Sequence, residues 1–115
     1  DTQAKRYGMT AEPEVQTHIL QGSRFAFIAG FSDGIGDVMT DQELVDECRY
    51  ASHPQQAAER IMKYAEDLGA EDNATILCIP LRGWGAIRGE DRTALLRRDR
   101  RLNTDIYRNR RNLCL

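Results

Sequence analysis

Apolar and polar positions first alternate at residues 15–20, where Val15, Thr17 and Ile19 fall on one side and Gln16, His18 and Leu20 on the other. A period of two predicts a short, half-exposed β-strand. Gln21-Gly22-Ser23-Arg24 has the composition of a tight turn, so the next run is expected to pair antiparallel with that strand. That run, Phe25 to Phe31, is bulky and almost wholly apolar, the pattern of a strand buried on both faces. It ends abruptly at Ser32-Asp33-Gly34, and residues 35–39 suit a single helical turn.

Thr40-Asp41-Gln42-Glu43 is a capping box, in which the threonine oxygen meets the backbone N–H three residues on and the glutamate reaches back. It predicts a helix to about Arg49, with Leu44, Val45 and Cys48 facing inward. Ser52-His53-Pro54-Gln55 opens a second helix, with proline in the first turn, where its missing N–H costs nothing. Ala57, Ala58, Ile61, Met62, Ala65 and Leu68 then recur at steps of three and four, and Gly69 closes the helix. A β-rich run follows from Ala74 to Leu81, with Pro80 placed at a strand end because it cannot donate to a ladder. From Gly83 onward Ala94, Leu95, Leu96, Leu102 and Ile106 form no continuous stripe, so the tail is expected to be helical in places and weakly anchored.

Strand, strand, helix, helix, strand with tight joins is α+β. Two helices cover one face of a sheet, and a strand apolar on both faces needs two covers, so the chain is expected to be a piece of a larger layered domain. Its polar start, without methionine or an apolar signal segment, agrees with that expectation. No apolar run approaches the roughly 20 residues of a membrane span. Cys48, Cys78 and Cys114 are odd in number and widely spaced, which argues against a disulfide framework or zinc cluster and for a reducing compartment.

The net charge of −2 conceals an asymmetry. Residues 1–82 carry 14 acids against 7 Lys or Arg, whereas residues 83–115 carry 9 Arg against 4 acids. An acidic body and a basic tail suggest two zones with different roles. Arg97, Arg98, Arg100 and Arg101 are the candidate anion-binding residues of the tail; folding back onto the acidic body is the other reading. Without an interleaved aromatic series, nucleic acid is disfavoured as a partner.

Two acids stand out by position. Asp33 follows a buried strand and precedes a glycine; Asp72 ends a helix–loop before another strand and precedes Asn73. Carboxylates on sheet-end turns suit hard cations such as Mg2+ or Mn2+, although Asp-Gly and Asp-Asn are also ordinary turn formers. His18 and His53 have no partner at ligand spacing.

The run Phe27-Ile28-Ala29-Gly30-Phe31-Ser32-Asp33-Gly34-Ile35-Gly36-Asp37-Val38-Met39, continued by Thr40-Asp41-Gln42-Glu43-Leu44-Val45, resembles a late motif of the metal-dependent protein phosphatases of type 2C, the PPM family. Glu71-Asp72-Asn73-Ala74-Thr75-Ile76-Leu77-Cys78-Ile79 resembles that family's closing strand, and Glu12-Pro13-Glu14-Val15 its Pro-Glu-Val landmark. The resemblance covers residues 7–82, overlapping a polar lead-in at 1–14 and preceding an Arg-rich extension at 83–115. Leu81-Arg82-Gly83-Trp84 with that extension is similar to a fungal subgroup linked to mitochondria. Phe31 stands where the family pattern is usually small, and Gly36 where it is often aromatic.

The resemblance implies part of an α-β-β-α sandwich, two antiparallel sheets flanked by helices, incomplete in this chain. It implies a binuclear Mg2+ or Mn2+ centre, with Asp33 and Asp72 as metal ligands and Gly34, Asp37 and Asn73 in supporting places. Metal-bound water would then hydrolyse phosphoserine or phosphothreonine in a phosphoprotein substrate, without a residue catalytic beyond the ligands. The metal-bridging aspartate and phosphate-binding arginine belong to the family's early half, which is missing here, so the chain alone is expected to be inactive. The alternative function is a non-catalytic phosphatase-like module whose basic tail binds an anionic partner. An intracellular setting, cytoplasmic or mitochondrial, is expected.

Overall fold

The structure is a computed structural model that describes residues 3, 6–70 and 73–113. Its elements are β1 (Phe27–Phe31), α1 (Asp33–Gly36), α2 (Asp41–Arg49), α3 (Pro54–Asp67), β2 (Ile76–Pro80) and α4 (Ala94–Leu113). No helix among the described residues is long and apolar enough to cross a membrane.

Each expected helix boundary has a local cause. At α2 the Glu43 amide donates to Thr40 Oγ1 at 3.2 Å, and the Thr40 amide donates to Glu43 Oε2 at 2.8 Å, completing the capping box. At α3 the Gln56 amide donates to His53 Nδ1 at 3.2 Å, so His53 is a helix cap and Pro54 opens the first turn. Gly69, at φ +80°, lets the chain leave α3 in the left-handed region that favours glycine.

β1 and β2 form a two-stranded antiparallel sheet with Phe27 opposite Pro80, Ala29 opposite Cys78 and Phe31 opposite Ile76. Pro80 ends the ladder, as its missing donor requires. The fold is α+β, as expected, and consistent with part of the layered fold that the resemblance implies. Phe27, Ala29, Ile76 and Cys78 turn toward a core of Ile35, Met39, Leu44, Cys48, Ala57, Ile61, Tyr64 and Ala65. Trp84 closes one end of this layer with its ring edge-on to Phe27, centroids 5.9 Å apart. Cys48 and Cys78 are free thiols, and burial pushes the Cys48 thiol up to about 12, leaving it an inert core group.

Three expectations need correction. Residues 15–20 form no strand: the segment is exposed throughout, with Val15 83% accessible, and β1 takes β2 as its partner instead. Alternation was present, but no neighbouring strand edge receives it among the described residues. β1 is also covered on one face only. Ile28, Leu77 and Ile79 lie exposed on the other, because α1, α2 and α3 all build the same side of the sheet. Finally, the tail is not loosely attached. It contains a 20-residue helix fixed to α2 by buried charges.

Candidate functional site

The Asp33 turn is built by β1 running directly into α1. Ser32 is extended at φ −81°, ψ 169°, and Asp33 begins the helical turn, its carbonyl accepting the Asp37 amide at 2.8 Å. Ser32 also ties this turn to the start of β2. Its amide donates to the Thr75 carbonyl at 3.0 Å, and its Oγ accepts the Thr75 amide at 3.0 Å.

Gly34 makes this approach possible. It is buried, and a Cβ there would stand 2.5 Å from the Asn73 carbonyl oxygen and 3.1 Å from Ala74 Cα. The exchange of sizes noted in the sequence also has a structural counterpart. A Cβ on Gly36 would lie 3.4 Å from the ring of Phe31, which occupies the space that a larger residue at 36 would require.

Asp33 and Asp37 are exposed on this turn, and Asn73 lies on the segment that meets Gly34. Asp72 falls outside the described residues, as do Glu71 and Cys114. Among the described residues no group of three or more His, Cys, Asp or Glu is placed to hold a metal ion. Asp33 alone therefore does not satisfy a Mg2+ or Mn2+ ion, which requires several converging oxygens.

The tail arginines lie elsewhere, on the flank of α2. Glu43, Asp46 and Glu47 are buried there, at 0%, 0% and 2% accessibility. Asp46 Oδ1 accepts from Arg49 Nε at 2.7 Å and Gln42 Nε2 at 3.1 Å; Asp46 Oδ2 accepts from the Arg92 and Thr93 amides, each at 3.1 Å, and from Thr93 Oγ1 at 2.8 Å. Arg97, 6% accessible, forks onto Asp91 and lies 3.0 Å from Glu47 Oε1. Arg100 donates to Glu43 Oε1 and to the Val38 carbonyl, which fixes the loop between α1 and α2. Arg101 lies 3.5 Å from Glu47 Oε1 and over the ring of Tyr64. Of the four arginines singled out in the tail, Arg97, Arg100 and Arg101 thus face the chain's own carboxylates, and Arg98 is exposed.

Sequence patterning missed these buried acids because helical periodicity assigns charge to the solvent face. A signal was nevertheless present. Glu43, Asp46 and Glu47 repeat at i, i+3 and i+4, and so do Arg97, Arg100 and Arg101.

The network also titrates in a defined direction. Burial pushes the Glu43 carboxyl up, but the Thr40 amide, Arg100 and Tyr64 outweigh it and hold the group below its usual range. Burial likewise opposes Asp46, which Arg49, Thr93 and Gln42 hold low. Hydrogen bonds from Arg97 depress Asp91 more strongly. A lowered carboxyl contributes stability above its unfolded pKa and loses it as pH falls through the folded value. The urea midpoint is therefore expected to stay level above about pH 5 and to fall progressively below about pH 4. An equal midpoint at about pH 6 and pH 3 would contradict these pairings.

The family model for protein phosphatase 2C matches residues 1–74. Protein phosphatase 2C homolog 4 of Schizosaccharomyces pombe is 41% identical over 81 residues, covering 70% of this chain and 21% of that protein. The mitochondrial protein phosphatase 1K of Xenopus laevis is 33% identical over 85 residues, covering 74% and 23% respectively. Probable protein phosphatase 2C 45 of Oryza sativa is 32% identical over 82 residues, covering 71% and 28%. The chain thus spans between 21% and 28% of the length of these relatives. No solved structure gives a significant match. With the family model covering well over half of its residues, the chain belongs to the protein phosphatase 2C family.

Proposed function

We propose that this chain supplies the C-terminal part of a metal-dependent protein serine/threonine phosphatase, with Asp33 and Asp72 as metal ligands. The observation that carries this reading is the latch between the two strand ends. Ser32 and Gly34 hold the Asp33 turn against residues 73–75, so the segment immediately after Asp72 in sequence is brought to the Asp33 turn. A pair of carboxylates from two such turns is the donor type that Mg2+ and Mn2+ prefer.

The remaining ligands are assigned to a part of the phosphatase domain that this chain does not contain. The open apolar face formed by Ile28, Leu77 and Ile79 supports that assignment, since it offers a second layer something to bury. When bound, the ions would supply an activated water and neutralise the phosphate. Gly34 and Asp37 shape the turn that presents Asp33, and Asn73 follows Asp72 in sequence. The substrate class is phosphoserine- or phosphothreonine-containing protein, within the cytoplasm or mitochondrion.

The test joins this chain to the preceding part of the phosphatase domain of the S. pombe relative and follows phosphopeptide hydrolysis with Mn2+. Asp33→Ala and Asp72→Ala are each expected to lower kcat/KM by about 100-fold and weaken Mn2+ binding measured by electron paramagnetic resonance. If both variants keep full activity and Mn2+ affinity, the ligand assignment is wrong. A wild-type fusion that binds Mn2+ but cleaves nothing would favour the non-catalytic module.

A further inference from the structure

Beside the buried network lies a cavity of about 500 Å3 between α2, α3 and α4. Its walls include Glu47, Tyr50, Arg60, Arg98, Arg101 and Leu102, with Arg97 and Asp91 at its side. Four arginines and two carboxylates line it, and Asp46 and Asp67 add acid from outside the wall, 3.7 Å from Arg97 and 3.8 Å from Arg101, so Arg98 is the one arginine of the four whose charge no described acid takes up. Glu47 is the acid these side chains share, with Arg60 at 2.9 Å, Arg97 at 3.0 Å and Arg101 at 3.5 Å. Arg97 is further compensated by Asp91, whereas Arg98 is exposed and has no ion-pair partner among the described residues.

The two guanidiniums beside Arg98 are already oriented. Arg60 lies 5.4 Å above the Tyr50 ring and is anchored to the Glu47 carbonyl; Arg101 lies 4.8 Å above the Tyr64 ring. Aromatic support limits the entropy lost when such a fork takes an anion. Arg98 and Arg101, three residues apart on α4, reach the same side of that helix. Leu102 and Ala94 add apolar wall, so the cavity offers concentrated charge next to surface that a peptide can cover.

We infer that this cavity is a docking site for a phosphorylated side chain of a protein, with Arg98 and Arg101 as its primary phosphate contacts and Arg60 completing the cradle. Fork-shaped donors match the oxygens of a phosphate monoester, and Arg98 offers one a positive charge that no described acid of the chain takes up. The choice of a phosphoprotein as ligand rests on the phosphatase reading, but occupancy of the cavity is independent of turnover. The site lies on the α2–α4 flank, and α4 supplies residues 98 and 101, so the basic extension would give the domain a recognition surface beyond the metal-binding turns.

The test titrates the full 115-residue chain, in the presence of EDTA to remove metal from the Asp33 turn, with a phosphoserine peptide bearing neutral flanks. Binding is followed by calorimetry, with the unmodified peptide and inorganic phosphate as further arms. The phosphopeptide is expected to bind, to be displaced by inorganic phosphate, and to weaken several-fold between about 50 and 200 mM salt. Arg98→Glu is expected to reduce affinity by about 10-fold or more while leaving the thermal midpoint unchanged, because Arg98 is exposed and holds no structural pair. Arg98→Lys should restore part of the affinity. Absence of phosphopeptide binding, equal binding of the unmodified peptide, or an Arg98→Glu chain that binds as wild type would each overturn the inference. Inorganic phosphate that binds while the phosphopeptide does not would make the cavity a free-phosphate site and likewise overturn it. An active fusion enzyme whose chain fails to bind would refute this site alone.

Discussion

Replacing Arg97 with Met is expected to cost about 3–5 kcal/mol of stability, a large share of what a domain of this size possesses. The substitution keeps length and removes the charge that faces Asp46, Glu47 and Asp91. Their carboxylates remain where α2 and α4 meet, two of them at or near zero accessibility, and the remaining donors do not replace the lost fork. The large figure is the penalty for leaving buried acids uncompensated rather than the net value of the ion pairs. Urea denaturation followed by the fluorescence of Trp84, the only tryptophan, measures it. Arg97→Lys should fall between wild type and Arg97→Met, since one ammonium cannot reproduce the two-pronged contact with Asp91. A loss below about 1 kcal/mol would place the network in the class of surface pairs and remove the reason for α4 to dock.

The same network explains which parts of the fold were legible in the sequence. Thr40 to Glu43, Pro54 and Gly69 act within a few residues, and each marks a helix end observed in the structure. Phe27–Phe31 and Ile76–Pro80 have strand composition and pair with each other, but pairing is a choice among partners that local pattern does not specify. Residues 15–20 show the limit: alternation marks a segment able to join a sheet, while joining depends on an edge supplied by the rest of the chain. α4 shows another. Its apolar residues are largely exposed, with Leu95 68% accessible, and its attachment comes from arginines matched to acids fifty or more residues earlier. The family was legible as a motif, and Asp33 as a carboxylate on a turn that leaves a strand. The close approach at Gly34 is a three-dimensional fact that glycine permits without announcing.

That approach makes Gly34 the most sensitive small residue on the Asp33 turn, and Gly34→Val is expected to destabilise the chain by about 3 kcal/mol or more. The nearest atoms to the added Cβ are backbone: the Asn73 carbonyl oxygen at 2.5 Å and Ala74 Cα at 3.1 Å. Neither can rotate aside as the end of a side chain would. The strand ends must separate, and the two Ser32–Thr75 hydrogen bonds are the first contacts strained. Gly30 provides the matched control, because a Cβ there meets nothing within 4 Å. Gly30→Ala should change stability by no more than about 0.5 kcal/mol in this chain. Hydrogen exchange adds a local readout, with the Thr75 amide expected to lose protection in Gly34→Val before amides of α3 do. In the fusion enzyme, Gly34→Ala, the smallest intrusion, should weaken Mn2+ binding more than it shifts the melting temperature, since the turn carrying Asp33 moves with the strand end. Equal behaviour of Gly34→Ala and Gly30→Ala in both measurements would show that the latch does not position the carboxylate.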